Sequence, residues 1–232
     1  MDAAIVTGAS SGIGLAVSRT LCRLGYEVYG IGRNFDAAGE TEWEGAFHAV
    51  VCDILDTERL LGIVRQIQKE RRARILVNNA GTAYYGLHEE LNPQKIRQMV
   101  RTNFEAPMIL TQQLLRTLKQ NQGYVINIAS VTANGANPRG CAYGATKAGL
   151  ASFSRSLFEE ARKYGVKVAA IYPDMTQTNL YRNADFREGE DEMSYLNPRE
   201  VGDAVEYIVS AREGLAITEI ALRPQLHRVR RK

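Results

Sequence analysis

The sequence predicts a three-layer α/β fold, one doubly wound parallel sheet with helices on both faces, built as a single domain over residues 1–232. Two observations carry this expectation. Short β-branched runs alternate with helical patterns almost from end to end, the mark of repeated βαβ units around a sheet buried on both faces. The first run also opens into a glycine-rich turn, Thr7-Gly8-Ala9-Ser10-Ser11-Gly12-Ile13-Gly14, before the first helical pattern begins. At 232 residues the chain is long for one hydrophobic core yet within reach of one α/β domain, and no internal repeat or low-complexity linker divides it.

Residues 3–7 read as the first strand and 13–24 as the helix after it, stopped by Gly25. Residues 27–31 form the second strand and 47–52 the third. Asp56 then caps a helix to about residue 71, and the fourth strand, 75–77, ends in Asn78-Asn79-Ala80-Gly81. Asn92-Pro93 and Asn197-Pro198 each put a capping side chain before a proline at the first helical position, where the missing N–H costs nothing. The first of these starts a long helix, 93–120, expected to break or bend near Pro107. Strand five, 124–129, leads to a helix bearing Tyr143 and Lys147; strand six is 166–172, and 217–222 is a last short strand. Residues 179–196 mix charges with Tyr181, Phe186, Met193 and Tyr195 at the carboxyl edge of the sheet, where ligands of such folds bind, and read as a substrate lid.

Composition narrows the partners. Apolar residues make up 45% and charged residues 24%, and a net charge of +3 asks for no polyanion. The run His227-Arg228-Val229-Arg230-Arg231-Lys232 is short and lacks aromatics, so it reads as a solvated tail and no nucleic-acid partner is expected. Cys22, Cys52 and Cys141 are scattered, odd in number and without metal spacing, which sets aside a disulfide framework or metal site and fits a reducing cytoplasm. No apolar stretch approaches the ~18 residues of a membrane span. No signal-peptide pattern precedes Ala3, so a soluble chain starting near Met1, with no membrane partner, is expected.

The chemistry-bearing residues fall into two groups. Gly8, Gly12 and Gly14 sit between strand and helix, where the backbone can turn sharply, approach a pyrophosphate and present a helix N-terminus to it. Their spacing, Gly-x-x-x-Gly-x-Gly, differs from the best-known dinucleotide fingerprint, and no Lys-Ser/Thr follows, which sets ATP chemistry aside. Arg33 and Asn34 end strand two, about twenty residues past the loop, where an acidic residue would hold both ribose hydroxyls. A guanidinium matches a 2′-phosphate instead, so NADP(H) is expected over NAD(H), by roughly tenfold to a hundredfold. Asp53, followed by Ile54, is placed to accept from an adenine amino group or to close a turn.

In the second group, Tyr143 and Lys147 lie four residues apart on a helix, so phenol and ammonium project into one cleft. An unperturbed tyrosine has a pKa near ~10, and a working acid at neutral pH needs about 4 kcal/mol of help. A charge at ~4 Å and an effective dielectric of ~20 supplies about that much before desolvation, so Lys147 is expected to make Tyr143 acidic.

Taken together, these residues resemble the short-chain dehydrogenase/reductases in their single-domain, Rossmann-fold form. The resemblance rests on Thr7-Gly8, Gly12-Ile13-Gly14, Asp53, Asn78-Asn79-Ala80-Gly81, Asn103, Ser130, and Tyr143 with Lys147, in order over nearly the whole chain. It implies that Tyr143 protonates a carbonyl undergoing reduction, Ser130 bonds the substrate oxygen, Lys147 binds nicotinamide ribose and lowers the tyrosine pKa, and Asn103 anchors a relay water. Cofactor contacts would fall to Gly8, Ser10, Ser11, Gly12, Ile13, Gly14, Arg33, Asn34, Asp53, Ile54, Asn79, Ala80 and Gly81. Tyr143, Lys147, Pro173, Thr176 and Thr178 would complete them at the nicotinamide end. A homotetramer or homodimer is implied as well. The sequence departs from the family at Pro173-Asp174, where Pro-Gly is usual, and so puts a Cβ and a carboxylate beside the nicotinamide side.

The implied substrate is a small ketone or aldehyde reduced reversibly to its alcohol. Tyr143-Gly144-Ala145-Thr146-Lys147-Ala148, Gly32-Arg33 and residues 217–224 are similar to the branch acting on 3-hydroxy acids and related small hydroxy compounds. A 3-oxoacyl thioester reductase is the nearest rival. A catalytically silent dinucleotide-binding regulator is the alternative from another class, and intact Asn103, Ser130, Tyr143 and Lys147 weigh against it. Ser130 lacks a Gly-x-Ser-x-Gly elbow and only His48, His88 and His227 exist as bases, which sets a hydrolase aside. Cys141 reads as a small apolar filler.

Overall fold

The computed structural model describes residues 1–36, 43 and 45–232. In chain order the elements are β1 (Asp2–Thr7), α1 (Gly12–Arg23), β2 (Glu27–Gly32), β3 (Phe47–Val51), α2 (Thr57–Glu70) and β4 (Arg72–Asn78). They continue with α3 (Pro93–Val100), α4 (Ala106–Asn121), β5 (Tyr124–Ile128), α5 (Cys141–Ala161), β6 (Lys167–Pro173) and β7 (Phe186–Glu188). The last are α6 (Pro198–Val209), β8 (Glu219–Leu222) and β9 (Val229–Arg231).

Seven strands form one sheet in the order β3-β2-β1-β4-β5-β6-β8, and every pairing in it is parallel. The expected doubly wound architecture is what forms, and its strand order reverses between β1 and β4, which opens a crevice at their carboxyl ends. Alternation along β1 feeds both faces. Ala4 and Val6 pack with Val17 and Leu21 of α1 and Val201 and Val205 of α6. Ile5, one step out of phase, packs with Leu60 and Val64 of α2 and Leu110 and Leu114 of α4. With both faces covered, the central strands read as largely apolar, β-branched runs, and the buried Asn127 of β5 stands there only because Asn78 and Ser154 hydrogen-bond it. Among the described residues no helix is long and apolar enough to cross a membrane.

The caps act as their sequence suggests. Asp56 accepts from the Arg59 N–H at 3.2 Å, Asn92 from Gln94 at 2.8 Å, and Asn197 from Arg199 at 2.9 Å. Glu200 returns the favour by accepting from the Asn197 N–H at 2.8 Å, a capping box that starts α6. Gly25, at φ 85°, ends α1 by donating to the Cys22 carbonyl at 2.9 Å.

One expectation is sharpened and two are corrected. The helix expected over 93–120 is interrupted by a π-helical turn at Arg101–Glu105, upstream of Pro107. Pro107 has no N–H for the carbonyl of Asn103 four residues back or Thr102 five back, so the backbone widens before it. The basic run is no solvated tail: β9 pairs antiparallel with β7, with Arg231, Arg230 and Val229 opposite Phe186, Arg187 and Glu188. The segment after β7 supplies the acidic partners, through an Arg228–Asp191 pair at 3.7 Å and an Arg230–Glu190 pair. Cys141 is exposed at the first residue of α5 and fills no core.

Candidate active site

The crevice at the sheet's carboxyl edge is one long cleft running from Arg33 and Asp53 to Tyr143 and Lys147. Its near wall is the glycine loop after β1. Gly8 and Gly12 adopt φ of 67° and 53°, a region costly for any residue with a Cβ. At Gly14 a Cβ would lie 2.1 Å from the Gly8 carbonyl oxygen, so only glycine lets α1 pack this closely under the loop. The end of β4 holds the loop in place. Asn79 Nδ2 donates to the carbonyls of Thr7 and Gly8 at 2.9 and 3.2 Å, while Thr7 Oγ1 accepts from the N–H groups of Asn79 and Ala80 at 3.0 Å each. Asn78 turns into the sheet, donating to Asn127 Oδ1 at 2.8 Å, a structural tie.

A dinucleotide fits this wall. α1 begins on the cleft with no side-chain cap from Ser11 and no acidic residue in its first turn, which leaves its first N–H groups and the positive end of its dipole for an anion. Ser10, Ser11, Gly12 and Ile13 line the cleft beside that end. Arg33, Asp53 and Ile54 line its far end. Asp53 Oδ1 also accepts from the Leu55 N–H at 2.9 Å, closing a turn. Asn34 is bonded to Asp36 instead, Nδ2 to Oδ2 at 2.6 Å and Oδ1 to the Asp36 N–H at 2.6 Å, and stands outside the cleft lining.

At the other end the sequence-expected catalytic residues converge. Ser130 follows β5, and α5 places Tyr143 and Lys147 on one face, each only 4% exposed. The Ser130 oxygen accepts two hydrogen bonds from Thr132, from N–H at 3.2 Å and from Oγ1 at 3.0 Å. With its acceptor side occupied, Ser130 keeps its single proton for an acceptor on the cleft side, where the Tyr143 phenol also stands. Lys147 Nζ donates to the Ile128 carbonyl at 2.7 Å, so the end of β5 fixes the ammonium.

The expected electrostatics of this pair need correction. Burial pushes the Tyr143 phenol up to about 12, against which only the Ser130 hydroxyl pulls it down. The same burial brings Lys147 down to about 8. Lys147 Nζ lies 5.9 Å from the Tyr143 ring centroid. Desolvation of both groups therefore outweighs the Coulomb gain that the i, i+4 spacing suggests. Tyr143 holds its proton at neutral pH, and Lys147 titrates close to it.

Asn103, with 0% exposure, spends its amide on protein groups: Oδ1 accepts from the Thr82 N–H at 2.8 Å, and Nδ2 donates to the Thr82 carbonyl at 2.9 Å and Thr146 Oγ1 at 3.1 Å. Thr146 in turn donates to the Tyr143 carbonyl at 2.7 Å. Asn103 thus ties the π-helical turn, the loop after β4 and the helix of Tyr143 into one unit. Gly81 keeps the neighbouring space open, since a Cβ there would sit 3.6 Å from Asn103 Oδ1 and 3.8 Å from Lys147 Nζ.

Pro173, Asp174, Thr176 and Thr178 form the wall beyond β6. Asp174 has no left-handed φ, so its Cβ causes no strain; Oδ1 accepts from the Met175 N–H at 2.8 Å and Oδ2 lies 3.9 Å from Arg223 Nη1. Tyr181, which the sequence put in the lid, lines the cleft, while Thr132 was not singled out as a site residue. Thr132, two residues past Ser130, carried the only local signal, a hydroxyl at side-chain-bonding distance in sequence.

Comparisons with known proteins follow the same line. The short chain dehydrogenase family matches over residues 2–189. The chain is similar to serine 3-dehydrogenase of Rhizobium radiobacter, 34% identical over 230 residues covering 95% of this chain and 92% of that protein. It is also similar to a 3-oxoacyl-(acyl-carrier-protein) reductase of Rickettsia bellii, 30% identical over 216 residues covering 89% and 88%. Among solved structures, an alcohol dehydrogenase of the archaeon Thermococcus sibiricus complexed with 5-hydroxy-NADP shares the fold at a TM-score of 0.86, with 24% identity and 98% coverage of each chain. A metagenomic short-chain oxidoreductase in complex with NADP superposes at a TM-score of 0.79, 26% identical over 97% of this chain and 98% of that one.

Proposed function

The chain belongs to the short-chain dehydrogenase family, and from that premise we propose that it is an NADPH-dependent reductase of small ketones or aldehydes. The observation that carries this reading is the convergence of Ser130, its acceptor side filled by Thr132, with Tyr143 and a buried Lys147 at the end of a cleft that begins on an uncapped helix N-terminus. When bound, NADPH supplies hydride to the carbonyl carbon. The protein's own task is to bind that carbonyl and protonate its oxygen. Tyr143 holds a proton at neutral pH, and Ser130 adds a hydrogen bond where negative charge develops. Lys147, charged below about 8 and anchored on the Ile128 carbonyl, brings the only buried cation to this end of the cleft among the described residues. Arg33 at the far end supports NADPH over NADH, and the reading includes a homodimeric or homotetrameric assembly working in the cytoplasm.

Serine 3-dehydrogenase, as a relative, favours small hydroxy acids and their oxo forms as the substrate class, ahead of oxoacyl thioesters. The test is NADPH oxidation with ketones, aldehydes, 3-oxo acids and oxoacyl thioesters, with NADH in parallel. We expect kcat/KM at least about tenfold higher with NADPH. Tyr143→Phe should lower turnover by ~100-fold or more while NADPH still binds, as followed by its fluorescence. A wild-type protein silent toward the whole panel, or a Tyr143→Phe variant keeping more than about a tenth of the activity, overturns the reading.

A further inference from the structure

Among the described residues, the mouth of the cleft at its Tyr143 end is bounded by a cluster of aromatic rings. Ring centroids of Tyr85 and Tyr143 lie 5.9 Å apart, Tyr85 and Tyr181 6.2 Å, and Tyr181 and Phe186 5.6 Å. Tyr181 lines the cleft itself, on the short 3-10 helix Asn179–Asn183. Burial raises its phenol well above the ordinary tyrosine range, so the ring stands in a water-poor part of the site.

The seven-stranded sheet does not by itself fix this cluster. The cluster's carrier segment is clasped by residues 226–232, whose sequence separation from Tyr181 hides the link. Lys232 Nζ donates to the carbonyl oxygens of Tyr181 at 2.7 Å and Arg182 at 3.2 Å, the residues that line the cleft. The Lys232 N–H bonds the Asp185 carbonyl at 2.9 Å, the Gly189 N–H bonds the Arg228 carbonyl at 3.2 Å, and the Leu226 N–H bonds the Met193 carbonyl at 2.8 Å. Arg187 stands opposite Arg230 in this register, and Arg228 and Arg230 find acidic partners in Asp191 and Glu190 just beyond β7. Backbone bonds fix the register of the two segments, and the ion pairs favour the partner of opposite sign.

We propose that Lys232 is a positioning residue of the substrate pocket: with the β7–β9 pairing it holds the Asn179–Asn183 turn so that Tyr181 closes the site beside Tyr143 and confines it to small carbonyl substrates. The substrate side of this proposal rests on the reductase reading above. Lys232 touches no reacting atom. It acts through the backbone of Tyr181, so its loss should weaken substrate binding and leave the chemical step intact.

The experiment compares the parent protein with Lys232→Met, which keeps the stem and removes the ammonium, and Lys232→Arg, which keeps the donors. Two readouts are taken: trypsin cleavage within 179–196, at Arg182 and Arg187, with no cofactor or substrate present, and steady-state reduction of a small and a bulky aryl ketone. For Lys232→Met we expect cleavage roughly fivefold to tenfold faster, KM for the small ketone raised by a similar factor with kcat within about twofold, and a relative gain for the bulky ketone; Lys232→Arg restores parent values. Should Lys232→Met fail to fold, Arg230→Glu should open the segment in the same way and the swap Arg230→Glu with Glu190→Arg should close it again. Cleavage and KM both within about twofold of the parent overturn the proposal. Either change without the other also overturns it, because the clasp would then hold the segment without shaping the pocket, or Lys232 would act on substrate by another route. Failure of the reductase reading looks different: the parent itself turns over no carbonyl, and a cleavage rate unchanged in Lys232→Met then still overturns the clasp.

Discussion

Replacing Asn103 with alanine tests whether the buried amide is the tie that holds the catalytic end together. The substitution removes the acceptor of the Thr82 N–H and the donor to the Thr82 carbonyl, and Thr82 is itself buried at 5% exposure, so water cannot replace either partner without rearrangement. Each backbone group left unpaired costs about 1–2 kcal/mol. The void adds about 1 kcal/mol. Thr146 loses one donor but keeps its own bond to the Tyr143 carbonyl at 2.7 Å, so it adds little. The sum is about 3–5 kcal/mol. Urea unfolding followed by far-ultraviolet circular dichroism should show a lower midpoint with an unchanged slope, and kcat/KM should fall as well, since the same bonds reach the helix of Tyr143. Asn103→Asp sharpens the test. It keeps an acceptor for the Thr82 N–H but sets a carboxylate oxygen against the Thr82 carbonyl, so at neutral pH it should be at least as damaging as alanine. A loss below about 1 kcal/mol for Asn103→Ala would refute the reasoning, for it would mean that the Thr82 groups find partners without the amide.

The remaining predictions concern charge and backbone shape. Lys147 is charged below about 8 and neutral above it, so kcat/KM for carbonyl reduction should be level on the acid side and fall as pH rises through about 8. Tyr143, pushed up to about 12, adds no loss in that window, and a profile level to pH ~10 at constant ionic strength would contradict the assignment. Gly14→Ala and Gly62→Ala should move stability in opposite directions. At Gly14 the new Cβ meets the Gly8 carbonyl oxygen at 2.1 Å and Asn79 Nδ2 at 2.4 Å, which should cost at least about 2 kcal/mol and abolish dinucleotide binding. At Gly62, inside α2, nothing lies within 4 Å, and thermal unfolding should show a gain of about 0.5–1 kcal/mol.

Much of the fold was legible because its information is local. Ala4, Ile5 and Val6 announce a strand buried on both faces, Asp56, Asn92 and Asn197 announce helix starts, and Gly25 announces an end, each through interactions spanning a few residues. The order of Gly8, Asp53, Asn79, Ser130, Tyr143 and Lys147 along the chain pointed to the cleft, because a doubly wound sheet delivers strand ends to one edge. The π-helical turn was half legible: Pro107 marked a break, and its position depended on which carbonyls lost their donor.

The sequence by itself therefore determined the elements of the main sheet, their parallel sense and most of the side chains brought to its carboxyl edge, but not the β7–β9 pairing. Tertiary structure alone decided the depth at which Tyr143 and Lys147 are buried, and with it the direction in which each titrates. It also decided that Lys232 meets the carbonyl of Tyr181, 51 residues away. Desolvation and long-range pairing depend on everything packed around a group, and no short window of residues contains that sum.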